Sequence, residues 1–130
     1  LGLLMWFNVW FVIWPAQKVV IQSAVQASSG GTAIPEAAAC GARALVASRT
    51  NVLFSVPMLF FMGSGRHLPL VANPETSFIP YFILLGIVLL VLELNALKGK
   101  AGPMTSIKGV ITCGFVFTAF LYVAVEYLTK

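Results

Sequence analysis

The sequence predicts an all-α integral membrane protein, a bundle of four transmembrane helices whose first two helices extend into the cytoplasm as a helical hairpin. Hydrophobic residues make up 59% of the chain and charged residues only 9%, whereas soluble domains carry about 25% charged residues. The charged residues leave four long uncharged runs dominated by Leu, Val, Ile, Phe and Trp: 1–17, 50–65, 76–92 and 109–125. These runs do not alternate apolar and polar residues as barrel strands do, so they predict helices.

The first two helices are predicted at about 1–28 and 35–63. Pro15 lacks a backbone N–H, so we expect a kink near the membrane surface. The "SSGG" stretch, 28–31, breaks the first helix. Pro35 suits the first turn of the second helix, where its missing N–H has no helical partner in any case.

The third and fourth helices are predicted at about 77–97 and 104–129. Between them "KGKAGP" reads as a tight turn, because Gly tolerates positive φ and Pro103 cannot continue a helix. No internal repeat is visible, so we expect residues 1–130 to form a single multi-pass membrane domain.

The basic residues predict the orientation of the helices. Six of the eight Lys and Arg residues lie between the first two spans or between the last two. Cytoplasmic loops carry an excess of Lys and Arg. We therefore expect loops 28–35 and 97–108 in the cytoplasm and loop 64–76 on the opposite side. The orientation of the helices in the membrane thus accounts for the net charge of +4, and no nucleic-acid partner is expected.

Polar residues inside or beside the apolar runs are the first candidates for a site. Polar groups at membrane depth usually face the protein interior, because leaving them unpaired in lipid costs free energy. We expect a polar layer that fixes helix register, with binding of a substrate or quinone headgroup as the alternative. Its candidate residues are Asn8, Gln17, Lys18, Arg49 and Asn51, and within it we expect Gln17 to pair with Asn51 and Lys18 to lie near the Arg49 turn.

Aromatic residues and the single histidine form a second set of candidates. Trp6, Trp10 and Trp14 are four residues apart, which places them along one helix face. This stripe is suited to pack a neighbouring subunit, a lipid or a flat cofactor ring. His67 is either a solvated loop residue or a ligand to haem or chlorophyll, since imidazole is a common metal ligand.

The chain has no evident catalytic or metal-binding motif. It contains no CxxC or zinc spacing and no nucleophile–base pair. Glu93 and Glu126 lie near predicted helix ends, where we expect them to reach the interface and pair with Lys, with proton relay as the alternative. We therefore expect no catalytic residue, no metal ligand and no intrinsic cofactor.

Two segments resemble a known family. They are "FNVWFVIWPAQKVV" (7–20) and "GARALVASRTNVLFSVPMLFFMGSGRHLP" (41–69). Both are similar to the bacterial membrane-bound urate hydroxylase family, also described as the urate oxidase N-terminal family. The matching positions are Asn8, Phe11, Pro15, Gln17, Lys18, Gly41, Arg43, Asn51, Pro57 and His67.

The departures from this family shape what the resemblance implies. Its members have a longer membrane domain and usually a C-terminal cytochrome c with a CxxCH motif, and this chain resembles only the second half of that domain. Thr50 also stands where many relatives are expected to carry His. The resemblance therefore implies a membrane component of an electron-transfer assembly, with the redox centres in its partners.

We accordingly expect a non-catalytic subunit of a larger respiratory or photosynthetic redox complex in the bacterial inner membrane. Its expected partners are the lipid bilayer, other membrane subunits and cytochrome c, with contact to haem, chlorophyll or quinone held by partner subunits. Two alternatives stay open: a fragment of a urate-hydroxylase-like enzyme linked to cytochrome c, and a small transporter.

Overall fold

The computed structural model describes residues 1–68, 73 and 75–129. Within them the chain is all-helical, with no strand. Each of the four long helices is long and apolar enough to cross a membrane, so the predicted all-α bundle is confirmed. The helices are α1 (Gly2–Ser28), α2 (Ala37–His67), α3 (Ile79–Lys98) and α4 (Ile107–Leu128).

Helix α1 contains a π-helical segment, Asn8–Ile13, ahead of its proline. The Trp14 N–H donates to the Val9 carbonyl, five residues back. Pro15 cannot donate a backbone hydrogen bond, so regular α-helical pairing is interrupted at this point in any case. The Asn that is unusual in an apolar run thus opens a wide turn of a kind that is frequent at functional sites.

The turn after α1 is closed by glycine. Gly30 has φ of 82°, and the Gly31 N–H donates to the Gln26 carbonyl at 3.0 Å. This is a Schellman-type helix end, in which a glycine with positive φ lets the N–H groups that follow the helix donate to its last carbonyls. The Ile34 N–H then donates to Ser23 Oγ at 2.9 Å, which ties the loop back to α1.

Helix α2 runs further than predicted, to His67 rather than 63. Gly63 and Gly65 have open space around them and remain helical. Arg66 and His67 occupy the last turn, where positive charge is favourable at the negative end of the helix dipole. Of the predicted loop 64–76, residues 69–72 and 74 lie outside the described residues.

A short 3₁₀ turn, Gly102–Thr105, precedes α4, so that helix begins three residues later than the predicted 104. Gly102 has φ of 51°, which supports the prediction of a tight glycine turn. The Ser106 hydroxyl accepts a hydrogen bond from the Gly109 N–H at 3.0 Å and caps the helix.

Helix α2 is the centre of the bundle and contacts each of the other three helices. The buried core lies mainly between α2 and α4 and consists of Leu53, Phe54, Met104, Val110, Phe117 and Leu121. Large apolar residues also cover the outside, for example Phe82 and Phe115. An apolar exterior suits lipid as the solvent. The side of the membrane on which each loop lies stays a prediction.

Candidate functional site: a buried amide–carboxyl cluster

The inward face of α1 carries one polar side chain among apolar ones. Asn8, Val12 and Ala16 are buried, and they are four residues apart along the π-helical segment and the turn that follows it. Asn8 is fully buried, at 0% exposure. This face packs against α2, so the amide of Asn8 is directed into the bundle and away from lipid.

Asn8 joins three helices through hydrogen bonds. Its Nδ2 donates to Asn51 Oδ1 on α2 at 3.1 Å and to Glu93 Oε2 on α3 at 3.2 Å. Asn51 Nδ2 in turn donates to the Met5 carbonyl of α1 at 3.0 Å. We call Asn8, Asn51 and Glu93 the buried polar cluster.

The buried polar cluster lies inside the apolar length of the helices. Glu93 is five residues before Lys98, about 7.5 Å along the axis at 1.5 Å per residue, and it is 8% exposed. Hydrogen bonds between membrane helices contribute about 0.6 kcal/mol each on average. Their geometric effect is greater, because they couple the axial positions of three helices.

Two oxygens of this cluster are buried without a hydrogen-bond partner among the residues that the structure describes. They are Asn8 Oδ1 and Glu93 Oε1. Both N–H groups of the Asn8 amide are already used. On α2, two residues before Asn51, the Nε of Arg49 is also buried without a partner.

The structure does not bring the five predicted polar-layer residues to one level. Gly41 lies against Val20: a β-carbon on Gly41 would be 3.6 Å from Val20 Cγ2. In the antiparallel hairpin, Gln17 therefore lies near the level of Arg43, whereas Asn51 is level with Asn8. Nine residues, or about 13 Å of helix, separate Asn8 from Gln17. The expected Gln17–Asn51 pairing is thus replaced by Asn8–Asn51.

Lys18, the residue after Gln17, is exposed, and its side chain turns back along α1. Its Nζ lies 6.0 Å from the ring centroid of Trp14, at the outer limit for a cation–π contact. Lys18 therefore neighbours the aromatic stripe and not the Arg49 turn.

The stripe formed by Trp6, Trp10 and Trp14 faces outward, and each ring is about half exposed. Trp10 and Trp14, together with Val9, line a small cavity of about 110 Å³. Sites for small molecules typically exceed about 300 Å³, so a planar ring on this stripe would lie on an open face. Contact with a partner's haem, chlorophyll or quinone stays a prediction.

His67 is the last residue of α2 and is exposed. Within the part of the chain that the structure describes, no group of three His, Cys, Asp or Glu side chains is arranged to hold a metal ion. The ligand role considered for His67 therefore needs further ligands from elsewhere, and it stays a prediction.

A basic pocket lies between the end of α3 and the early part of α2. It has a volume of about 440 Å³, and Arg43, Lys98 and Lys100 contribute to its lining. Small side chains such as Ala39, Ala42 and Ala96 form much of the remainder. Three basic residues in the lining of one pocket suit an anion of small-molecule size.

Glu93 is the member of the cluster for which the sequence-based prediction was wrong. It was expected to reach the interface, but it is buried and bonded to Asn8. The sequence does contain a sign that Glu93 is buried, because Glu93 interrupts an otherwise uncharged run and the small residue Ala96 lies three residues later on the same helix face. Glu93 and Ala96 are the buried residues of α3, and a small residue beside a polar one is typical of packed membrane-helix faces.

Comparisons with known proteins give one match. The family model described as "Urate oxidase N-terminal" matches residues 1–124. No curated protein and no solved structure matches the chain.

Proposed function

Because the chain belongs to the urate oxidase N-terminal family, we propose that it is a membrane-embedded component of a bacterial urate-oxidising electron-transfer system. The family match over residues 1–124 is the observation that carries this proposal. Four helices of membrane-spanning length and composition are consistent with it. In this role the chain is a helical frame, and the redox centres belong to its partners.

The frame has two parts that suit this role. Inside, the buried polar cluster holds α1, α2 and α3 in one register. Outside, the aromatic stripe offers a broad surface of flat rings. Trp supplies large contact area with few rotatable bonds, which favours packing against a partner helix, a lipid or a cofactor ring. Cytochrome c is a further candidate partner.

Purification from native membranes in mild detergent tests this role. We expect redox subunits to co-purify, detected by mass spectrometry, together with the absorption bands of a haem or another pigment. Added urate should reduce that pigment. A chain that purifies as a free monomer, with no redox subunit and no pigment, would contradict the proposal.

A pair of matched variants then tests the stripe. Trp10→Ala removes a half-exposed aromatic residue, and Ile87→Ala removes a similarly exposed apolar residue from α3. We expect Trp10→Ala to reduce the yield of co-purifying subunits several-fold and Ile87→Ala to leave it unchanged. Equal yields would show that partners do not use the stripe.

The basic pocket favours a second candidate function, in which this chain itself binds the anionic substrate. Urate is a small planar anion at neutral pH, and the pocket's size and its lining by Arg43, Lys98 and Lys100 match such a ligand. We expect Arg43→Gln to weaken urate binding to the purified complex about tenfold or more. Arg66→Gln, at the other end of α2, is the matched control. Displacement by phosphate as readily as by urate would instead indicate a general anion or lipid-headgroup site.

A further inference from the structure

Hydrogen-bond donors and acceptors do not balance in the buried polar cluster. Asn8 Nδ2 donates to Asn51 Oδ1 and Glu93 Oε2, and Asn51 Nδ2 donates to the Met5 carbonyl. The two buried atoms left over in the cluster, Asn8 Oδ1 and Glu93 Oε1, are both acceptors when Glu93 is ionised. The cluster therefore lacks one donor.

A single proton supplies the missing donor. A carboxylic acid carries one O–H group and one acceptor oxygen. An acid and a primary amide pair side by side through two hydrogen bonds, N–H to the acid carbonyl and O–H to the amide carbonyl. One of these bonds, Asn8 Nδ2 to Glu93 Oε2, is present, and the other would join the two unpartnered oxygens.

We propose that Glu93 binds a proton at Oε1 and donates it to Asn8 Oδ1, which makes the Asn8–Glu93 pair a proton-binding site within the membrane bundle. The ligand is a proton, taken up without any redox change. Its uptake converts a carboxylate facing a carbonyl into a neutral pair with both hydrogen bonds made. This inference is independent of the redox role proposed above.

The surroundings of Glu93 favour the neutral form. No cationic group pairs with it among residues 1–68, 73 and 75–129. Arg49 on α2 leaves its Nε unpartnered, and on α3 itself Lys98 is exposed about 7.5 Å further along the axis. On α1 the cationic side chain nearest to Asn8 in sequence is Lys18. On α4, Cys113 lines a groove together with Leu92, the residue before Glu93, and it brings no positive charge. A buried charge without a partner is strongly unfavourable in the apolar part of a membrane protein.

Proton binding is coupled to the packing of α1 against α3. Asn8 opens the π-helical segment of α1, and its amide is the group that reaches Glu93. Loss of the proton would leave Glu93 Oε1 as an anionic oxygen beside the Asn8 carbonyl. This repulsion would loosen the contact between the two helices, so the packed state is favoured at low pH and weakened as the pH rises.

Infrared spectroscopy of the full-length chain in lipid tests the site directly. At neutral pH we expect a carboxylic-acid carbonyl band in the wild-type protein that Glu93→Gln abolishes. Glu126→Gln, near the end of α4, is the matched control and should keep the band. A wild-type minus Glu93→Gln difference that contains only carboxylate bands would overturn the proposal.

Stability supplies a second, independent test. Gln at position 93 has the same shape as the protonated acid, and its amide can donate to Asn8 Oδ1. We expect Glu93→Gln to unfold at the same denaturant midpoint as wild type at neutral pH, and Glu93→Leu to unfold earlier. Raising the pH should lower the wild-type midpoint but not that of Glu93→Gln.

Two outcomes of these stability measurements would contradict a bound proton. Equal instability of Glu93→Gln and Glu93→Leu would mean that the negative charge itself is needed. Stabilisation of the wild type by added sodium, without stabilisation of Glu93→Gln, would place a metal cation between the two oxygens. Stability that is independent of sodium is the result that we expect.

Discussion

Replacing Asn8 by Leu removes the residue that links three helices. The substitution deletes the donor to Asn51 Oδ1 at 3.1 Å and the donor to Glu93 Oε2 at 3.2 Å. Leu has the same branching and number of side-chain heavy atoms as Asn but no polar atom. Because Asn8 is fully buried, water cannot readily replace the lost donor. Asn51 Oδ1 on α2 and Glu93 Oε2 on α3 each lose a hydrogen bond as a result.

The expected size of the effect follows from these two bonds. Membrane helix hydrogen bonds contribute about 0.6 kcal/mol each on average, and a buried polar group left unpaired costs about 1–3 kcal/mol. New apolar contacts made by Leu offset part of this loss. We therefore expect Asn8→Leu to lower the free energy of unfolding by about 2 kcal/mol.

The assay must report helix packing, because isolated membrane helices remain helical in detergent. Fluorescence energy transfer between labels on α1 and α3, followed during titration with a denaturing detergent, measures that packing. Asn73→Leu is the matched control. Asn73 is exposed, and its Oδ1 accepts a hydrogen bond from the nearby Glu75 N–H at 3.1 Å, with no side-chain link to another helix among the described residues, so this change should be nearly neutral.

A double-mutant cycle separates a shared interaction from two unrelated losses. If Asn8 and Asn51 act through their mutual bond, Asn8→Leu combined with Asn51→Leu should destabilise by clearly less than the sum of the single changes. Equal stabilities for Asn8→Leu and Asn73→Leu would refute the reasoning, as would strict additivity within the cycle.

Two further predictions concern the fourth helix. Gly114→Leu should destabilise the bundle by about 1–3 kcal/mol, because even a β-carbon there would lie 2.7 Å from Val56 Cγ2. Gly86 faces open space, so Gly86→Leu is the control. Equal effects of the two substitutions in the same energy-transfer titration would contradict close α2–α4 packing. Ser106→Ala should cost about 0.5–2 kcal/mol by leaving the Gly109 N–H uncapped. An unchanged unfolding midpoint in the same energy-transfer titration would contradict the cap.

The four spans could be predicted because composition alone requires them. Twelve charged residues cannot cover a soluble domain of this size, and the uncharged runs fix where each helix lies. Helix ends were less predictable. The second helix was predicted to end at about 63, but Gly63 and Gly65 lie in open space within α2, and glycine only weakens a helix unless the backbone must turn.

Asn8 could be predicted to face the interior, but its partners could not. Register between antiparallel helices depends on the length of the turn that joins them, and here the glycine turn after Ser28 places Asn51 level with Asn8. The partner expected for Asn51 was Gln17. Glu93 was missed because five residues separate it from Lys98, which is close enough for a long side chain to reach the interface.

Labelling of single cysteines in sealed vesicles tests the central claim, four helices crossing a bilayer with their basic turns on one side. Cys40 and Cys113 would first be replaced by Ser, and Arg43→Cys, Lys98→Cys and His67→Cys then introduced one at a time. An impermeant thiol reagent should reach positions 43 and 98 from the same face and position 67 from the other. Labelling of positions 43 and 98 from opposite faces would contradict the account.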